Sequence, residues 1–163
     1  DDIYNFNDLA SGDKLEAGTI IIIPDGEMSI PIETPQTRTN YVRGSGPDII
    51  GYFMRPVVGG VKSRGIHGYN GIDLAKSCGS AVFASAGGDV VTARSLGWNG
   101  GYGNYIVLAH PNGTQTLYAH LLRGMVTVGE WVAQGMTIGI TGSTGRSTGC
   151  HLHFEVRGAK NPF

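Results

Sequence analysis

From Ile49 onward, apolar and polar positions alternate in short runs, and nearly every run stops at a turn that carries glycine. Alternation with a period of two puts successive side chains on opposite faces of a strand. The pattern predicts strands over 49–54, 71–75, 81–85, 89–93, 104–109, 114–121, 125–128, 136–141 and 151–157. The punctuation between them is Gly87-Gly88, Gly100-Gly101, Asn112-Gly113, Gly124, Gly129, Gly135 and the glycines from Gly142 to Gly149. No segment keeps a 3.6-residue apolar period over three turns, so the expected fold is all-β, antiparallel and helix-poor.

The first part of the chain reads differently. Ile3 and Phe6 share a face at the end of a short helix, and Ser11-Gly12-Asp13 is a polar turn. Thr19 and the run Ile20 to Ile23 are strand-like, and Pro24 stops them. Residues 27–47 are rich in Pro, Thr, Ser, Gly and Asn without a period, which is the composition of a linker. The expected organisation is a short module at 1–26, a linker at 27–47 and a domain at 48–163.

Composition sharpens this picture. Glycine accounts for 27 of 163 residues, with no collagen-like repeat, which fits many tight turns in a β-protein. Hydrophobic residues at 40% against 15% charged are enough for a packed core. A formal charge of −1 gives no electrostatic basis for a nucleic-acid or acidic-membrane partner. Ile20 to Ile23 is the longest aliphatic run, too short to span a bilayer, and no basic segment with an apolar stretch opens the chain. The chain starts at Asp1 and not Met, which fits processing or excision from something longer. Cys78 and Cys150 are too far apart for a CxxC centre. They suit either two buried thiols or one disulfide, which would contribute about 4 kcal/mol on the chain-entropy model.

Five histidines occur, and His151-Leu-His-Phe-Glu-Val156 is the most informative stretch. On a strand, His151, His153 and Glu155 point one way, while Leu152, Phe154 and Val156 form a core face. Two imidazoles at i and i+2 meet around one site as metal ligands, or as one ligand and one group that works on water. A solvated polar face is the bland alternative. Thr116, Tyr118 and His120 are expected on one face, with Leu117, Ala119 and Leu121 on the other. Asp73 alternates with the apolar Ile72 and Leu74, where a carboxylate needs a cation, an Arg or a backbone N–H as partner. His67 falls in the glycine-bearing loop Arg64-Gly-Ile-His-Gly-Tyr-Asn-Gly71. His110 reads as a surface residue flanking the Pro111-Asn-Gly turn.

These segments, taken in order, resemble the lysostaphin-like (LytM-type) peptidoglycan metallopeptidases. The resemblance rests on Gly71-Ile-Asp-Leu-Ala75, Gly101-Tyr-Gly-Asn104, Thr116-Leu-Tyr-Ala-His-Leu121 and Ser147-Thr-Gly-Cys-His-Leu-His-Phe-Glu155, with Asn161-Pro162 near the end. It implies antiparallel sheets forming a groove, and one zinc ion held by Asp73, His153 and a histidine shortly before Asp73. It also implies that His120 and His151 are unligated histidines that activate water and stabilise the tetrahedral intermediate. Asn104 and Tyr105 would border the substrate groove. The implied partners are peptidoglycan stem or cross-link peptides, and the implied activity is that of a zinc endopeptidase. Separately, Asn5 to Leu9 and Leu15 to Pro24 resemble the second half of a LysM module, which would add glycan contact through an upstream part.

One departure bears on the site. The family spacing His-x-x-x-Asp places the first ligand at position 69, which is Tyr here; the nearest histidine is His67, giving His-x5-Asp. Two glycines inside that spacing favour a bulged loop that brings His67 back to the metal. If the ligand were lost, the chain would instead resemble inactive members that bind and activate other cell-wall hydrolases. A wall-binding module is the third reading. The resemblance also places Cys78 and Cys150 beside the site, where a disulfide would tie two ligand-bearing strands in an envelope or extracellular compartment.

Overall fold

A computed structural model of the protein describes residues 46–163. The LysM-like segment expected at 1–26, and all but the end of the linker expected at 27–47, lie outside the described residues. Among the described residues there are nine strands: β1 (Val61–His67), β2 (Gly71–Ala75), β3 (Ala81–Phe83), β4 (Gly88–Arg94), β5 (Asn104–Ala109), β6 (Gln115–Gly124), β7 (Trp131–Val132), β8 (Thr137–Thr141) and β9 (His151–Arg157). One 3-10 turn, Asn99–Gly101, precedes β5. The architecture is all-β, antiparallel and helix-poor, as the alternation predicts.

The main sheet runs β1-β2-β9-β6-β5-β4-β7, so β9, the last strand in sequence, lies between β2 and β6. β8 pairs with the far half of β6 and with β3. One face of β2 and β9 supplies Ile72, Leu74, Leu152, Phe154 and Val156 to the main core. There they meet Tyr118 and Leu121 of β6, Ile106 and Leu108 of β5, Val82 of β3 and Ile138 of β8. All eleven are essentially inaccessible, and each large apolar side chain so buried contributes about 1.5–3 kcal/mol. Across the sheet, Tyr105, Val107, Leu117 and Ala119 form a smaller cluster under the opposite face. That second face carries Asp73 and His153, which are direct partners in the β2–β9 register.

β6 changes partners part-way along. Residues Gln115 to Ala119 pair with β9, whereas Leu121 to Gly124 pair with β8. His120 stands at the change with φ 61°, a left-handed backbone. On β5, Ile106 pairs with Tyr118 and Asn104 with Leu121, so Ala119 and His120 together oppose Tyr105. This is a β-bulge, which turns one side chain away from the face that strict alternation gives it. Tyr118 and Leu121 therefore both enter the main core, while His120 points to the face of His153. The expected shared face for Thr116, Tyr118 and His120 is corrected in this respect.

Other expectations are corrected too. Residues 49–54 form a turn and not a strand; their role is to deliver Phe53 to the core while Met54 bonds to Ser85. Residues 125–128 run into the Thr127–Glu130 turn, with only Met125 N–H reaching the Ile138 carbonyl. Val61–His67 is a strand where a loop was expected. It is an edge strand exposed along almost its whole length, so it has no apolar face to produce alternation. His110 is buried, 5% exposed, and not on the surface. Its Nδ1–H donates to the Gly87 carbonyl (2.9 Å) and its Nε2 accepts from Thr116 Oγ1 (2.9 Å). From Thr116 the chain of bonds continues through Tyr118 Oη (2.8 Å), which accepts from Ser85 N–H (2.8 Å).

Candidate metal centre

Three elements bring the chemistry together. β2 contributes Asp73, β9 contributes His151 and His153, and the edge strand β1 ends at His67. The β1–β2 register slips twice, between Lys62 and Arg64 and between Arg64 and His67. These slips absorb the two extra residues of the His-x5-Asp spacing, so that His67 faces Gly71 and reaches Asp73 diagonally. His67 Nε2 lies 3.2 Å from Asp73 Oδ1, and His153 Nδ1 lies 2.9 Å from the same oxygen. One ligand atom from each of His67, Asp73 and His153 falls within 4.8 Å of the others.

Each imidazole is anchored through one ring nitrogen by an acceptor that cannot donate. His67 Nδ1–H bonds to the Gly65 carbonyl (2.7 Å), which turns its Nε2 toward Asp73. His153 is reversed: Nε2–H bonds to Glu155 Oε1 (3.0 Å) and Nδ1 faces Asp73. His151 Nδ1–H bonds to the Gly149 carbonyl (2.8 Å), with Nε2 at 3.8 Å from Asp73 Oδ1. His120 Nδ1–H bonds to the Thr144 carbonyl (2.8 Å), and its ring centroid is 4.7 Å from that of His151.

The loop between β8 and β9 is fixed by close backbone packing. A Cβ on Gly145 would lie 2.3 Å from Gly103 N, and one on Gly103 would lie 2.5 Å from Gly145 N. Only hydrogen at both positions allows Thr144 to sit where it accepts Asn104 N–H and donates to the Leu121 carbonyl. Gly71 has a similar role on β2, since a Cβ there would meet His153 Cε1 at 2.6 Å.

Burial and charge set the protonation states. Burial pushes His120 down to about 4, so its imidazole is neutral across the physiological range. Burial also disfavours charge on His153, but hydrogen bonds to Asp73 and Glu155 outweigh it and hold that imidazole up at about 9 in the metal-free protein. Asp73 is lowered despite its burial, by the His153 hydrogen bond and then by the charges of His153, His67 and His151. Glu155, fully buried, is likewise held below its ordinary value by His153, Arg157 and Tyr102.

The donor set fits zinc. Two imidazole nitrogens and one carboxylate oxygen with a position left open is the arrangement of a catalytic zinc site. At bond lengths of about 2.0–2.1 Å, tetrahedral ligand atoms stand about 3.3 Å apart, close to the 3.2 Å between His67 and Asp73. The carboxylate behind His153 is the usual outer partner of a metal-ligating histidine.

Among the other expected site residues, Asn104 gives its side-chain amide to the Leu122 carbonyl (3.0 Å). Tyr105 is 1% exposed and packs with Val107, Leu117 and Ala119 in the smaller cluster. Cys78 and Cys150 form a disulfide with Cα atoms 5.2 Å apart, tying the end of the β2 segment to the residue before His151. Sequence reasoning assigned no role to Tyr102, Thr144 or Arg157. Arg157 had a visible signal, because His151, His153, Glu155 and Arg157 continue one period-two face. Tyr102 and Thr144 had none, because loops place them.

Fold and site together define the lysostaphin-type class of peptidase domain. The catalytic domain of lysostaphin from Staphylococcus simulans superposes with a TM-score of 0.51 at 37% identity, covering 65% of this chain and 77% of that one. A zinc-containing peptidase from Vibrio cholerae superposes at 0.51 and 31% identity, covering 71% of this chain and 36% of that one. The chain belongs to peptidase family M23, whose sequence pattern matches residues 67–163. A DD-carboxypeptidase/endopeptidase, Mpg, of Neisseria meningitidis is 46% identical over 117 residues, 72% of this chain and 25% of that protein. The peptidoglycan DD-endopeptidase ShyA of Vibrio cholerae is 44% identical over 88 residues, 54% of this chain and 20% of that protein. The chain thus spans a quarter or less of the length of these two relatives.

Proposed function

We propose that this chain is a zinc-dependent endopeptidase that hydrolyses peptide bonds in the stem or cross-link peptides of bacterial peptidoglycan. The observation that carries the reading is the convergence of His67, Asp73 and His153 beside two further histidines whose Nδ1 atoms are committed to backbone carbonyls. The named activities of the Neisseria and Vibrio relatives support the substrate class. The inactive-activator alternative draws its case from the His-x5-Asp spacing; the register slips of β1, with His67 3.2 Å from Asp73, favour the enzyme reading.

His67, Asp73 and His153 would hold the zinc. When bound, it supplies Lewis acidity to the scissile carbonyl and brings the pKa of water toward neutrality. His120 and His151 present Nε2 lone pairs on the same side, with Nδ1–H committed to Thr144 and Gly149. In the neutral form a ring so anchored accepts a proton through Nε2. One of them takes the proton of the attacking water, and as an imidazolium it then gives that proton to the leaving amine. The bulge at His120 and the disulfide behind His151 keep the two rings in place while this happens. An oxidising envelope or extracellular location follows from the same reading.

The test is zinc stoichiometry together with muropeptide digestion, for wild type and His67→Ala. About one zinc per chain in wild type, with zinc and cleavage both lost in the variant, is the expected result. Zinc retained after His67→Ala would move the ligand elsewhere. Neither zinc nor cleavage in reconstituted wild type would overturn the enzyme reading.

A further inference from the structure

His67 is the most precariously placed of the three metal-type donors. It ends an exposed edge strand, and its ring meets the site at Asp73 and at His153, whose ring centroid is 4.9 Å away. Something beyond the strand ladder has to hold the enlarged turn Gly68-Tyr69-Asn70. The far end of β9 provides it. Asn70 Nδ2–H donates to the carbonyls of Val156 (2.9 Å) and Ala159 (2.7 Å), and Asn161 Nδ2–H donates to the Asn70 carbonyl (2.9 Å). Between these bonds, the Arg157 guanidinium lies 5.6 Å from the centroid of the Tyr69 ring, within cation–π range.

The same guanidinium also acts on the other histidine. Arg157 Nε–H and Nη2–H donate to Glu155 Oε2 at 3.0 and 2.7 Å. Glu155 Oε1 accepts from Tyr102 Oη–H (2.5 Å) and from His153 Nε2–H (3.0 Å). Both oxygens of a fully buried carboxylate are thereby committed, and the oxygen that anchors His153 cannot rotate away. The planar fork of Arg matches this two-point grip, which a lysine cannot reproduce.

We propose that Arg157 is a positioning residue shared by both histidine ligands. It holds His153 through Glu155 and holds His67 through Tyr69. Tyr69, which occupies the place where the shorter spacing would carry the ligand, is the residue that adapts the site to the longer one. The inference deepens the zinc reading of this site and rests on it. It is specific to the pairing of Tyr69 with Arg157.

The experiment measures zinc affinity, by competition with a chromophoric chelator, in wild type, Tyr69→Ala, Tyr69→Phe, Arg157→Met, Arg157→Lys and the Tyr69→Ala/Arg157→Met double variant. Imidazole nitrogen NMR spectra of each zinc-free protein are recorded beside it. Tyr69→Ala and Arg157→Met should each weaken zinc binding about 10-fold or more, as loss of outer partners does. Tyr69→Phe should bind as wild type, and Arg157→Lys should fall short of it. The double variant should lose less than the product of the single losses. Should Arg157→Met fail to fold, Tyr69→Ala and Arg157→Lys still decide the matter. Wild-type affinity in Tyr69→Ala, or independent losses in the double variant, would overturn the proposal. Absence of zinc binding by wild type would count against the enzyme reading instead. The spectra then decide: changed His67 and His153 ring signals in both single variants support the shared positioning, and unchanged signals refute it.

Discussion

Gly71→Ala should disable the metal site while leaving the fold standing. The backbone at Gly71 lies outside the left-handed region, so alanine meets no conformational penalty there. The obstacle is steric. The new Cβ would stand 2.6 Å from His153 Cε1, 2.8 Å from its Nε2 and 3.2 Å from Glu155 Cγ. Carbon contacts settle at about 3.5–4.0 Å, so the ring must retreat by about 1 Å. It cannot do so freely, because Asp73 holds Nδ1 and Glu155 holds Nε2. Overpacking of this kind costs about 1–3 kcal/mol of stability. A metal site tolerates only about 0.2 Å in its bond lengths, so zinc affinity should fall about 10- to 100-fold, and cleavage with it. The control is Gly65→Ala in the same hairpin. A Cβ at Gly65 has nothing within 4 Å and an ordinary φ, so that variant should be neutral or more stable by up to about 1 kcal/mol. Chelator competition and urea unfolding of both proteins make the comparison. Wild-type zinc affinity in Gly71→Ala would refute the reasoning, because His153 would then have to tolerate a displacement the geometry forbids.

Other outcomes follow from the same structure. At His120, glycine should be more stable than alanine by about 1 kcal/mol in urea unfolding, because only alanine retains a left-handed strain, and both variants should keep zinc but lose cleavage. Tyr118→Phe removes the hydroxyl that accepts from the buried Ser85 N–H, and should lower stability by about 1–3 kcal/mol in the same assay. Zinc-free protein should be most stable near pH 6.5, read as the urea midpoint from pH 4 to 9. On the acid side, His110 and His120 are held below the unfolded histidine value by burial, so the unfolded chain takes up protons first and stability declines, through about 4 for His120. On the alkaline side, the stability from His153 is complete below the unfolded value and is lost as pH rises through about 9. A midpoint that does not move between pH 6.5 and 4 would refute the acid limb. Replacing both Cys78 and Cys150 by serine should cost about 4 kcal/mol, given the 72-residue separation, and should loosen His151 more than His67.

The sequence disclosed those parts of the fold whose two faces differ. Strands β2 and β9 are buried on one side and chemically loaded on the other, so the alternation of Ile72 and Leu74 with Asp73, and of Leu152 and Phe154 with His151 and His153, was legible. β1 has no buried face and β7 only two residues, so neither produced a period. Residues 49–54 and 125–128 had apolar character but no neighbour with which to form a ladder, a tertiary fact that no local window contains. His120 was legible as a site residue, but the face it points to was not, for a different reason. Its residue type was informative, but its direction depends on one left-handed backbone angle that the pattern cannot encode. His110 beside Pro111-Asn-Gly had the local appearance of a surface turn, and only the distant Gly87 and Thr116 make it interior.

The position of β9 has a consequence for how the protein comes into being. Synthesis proceeds from the N-terminus, so β1 and β2 exist long before the strand that joins them to β6. Until the chain has been made as far as Arg157, the sheet is two halves with facing open edges, and such edges invite pairing with other chains. His67 and Asp73 wait through that interval without His151, His153 or Glu155. The nascent polypeptide therefore holds no assembled site at any stage before β9 slides between its neighbours. The placing of β9 joins the two halves of the sheet, brings Cys150 to Cys78 and completes the candidate metal centre.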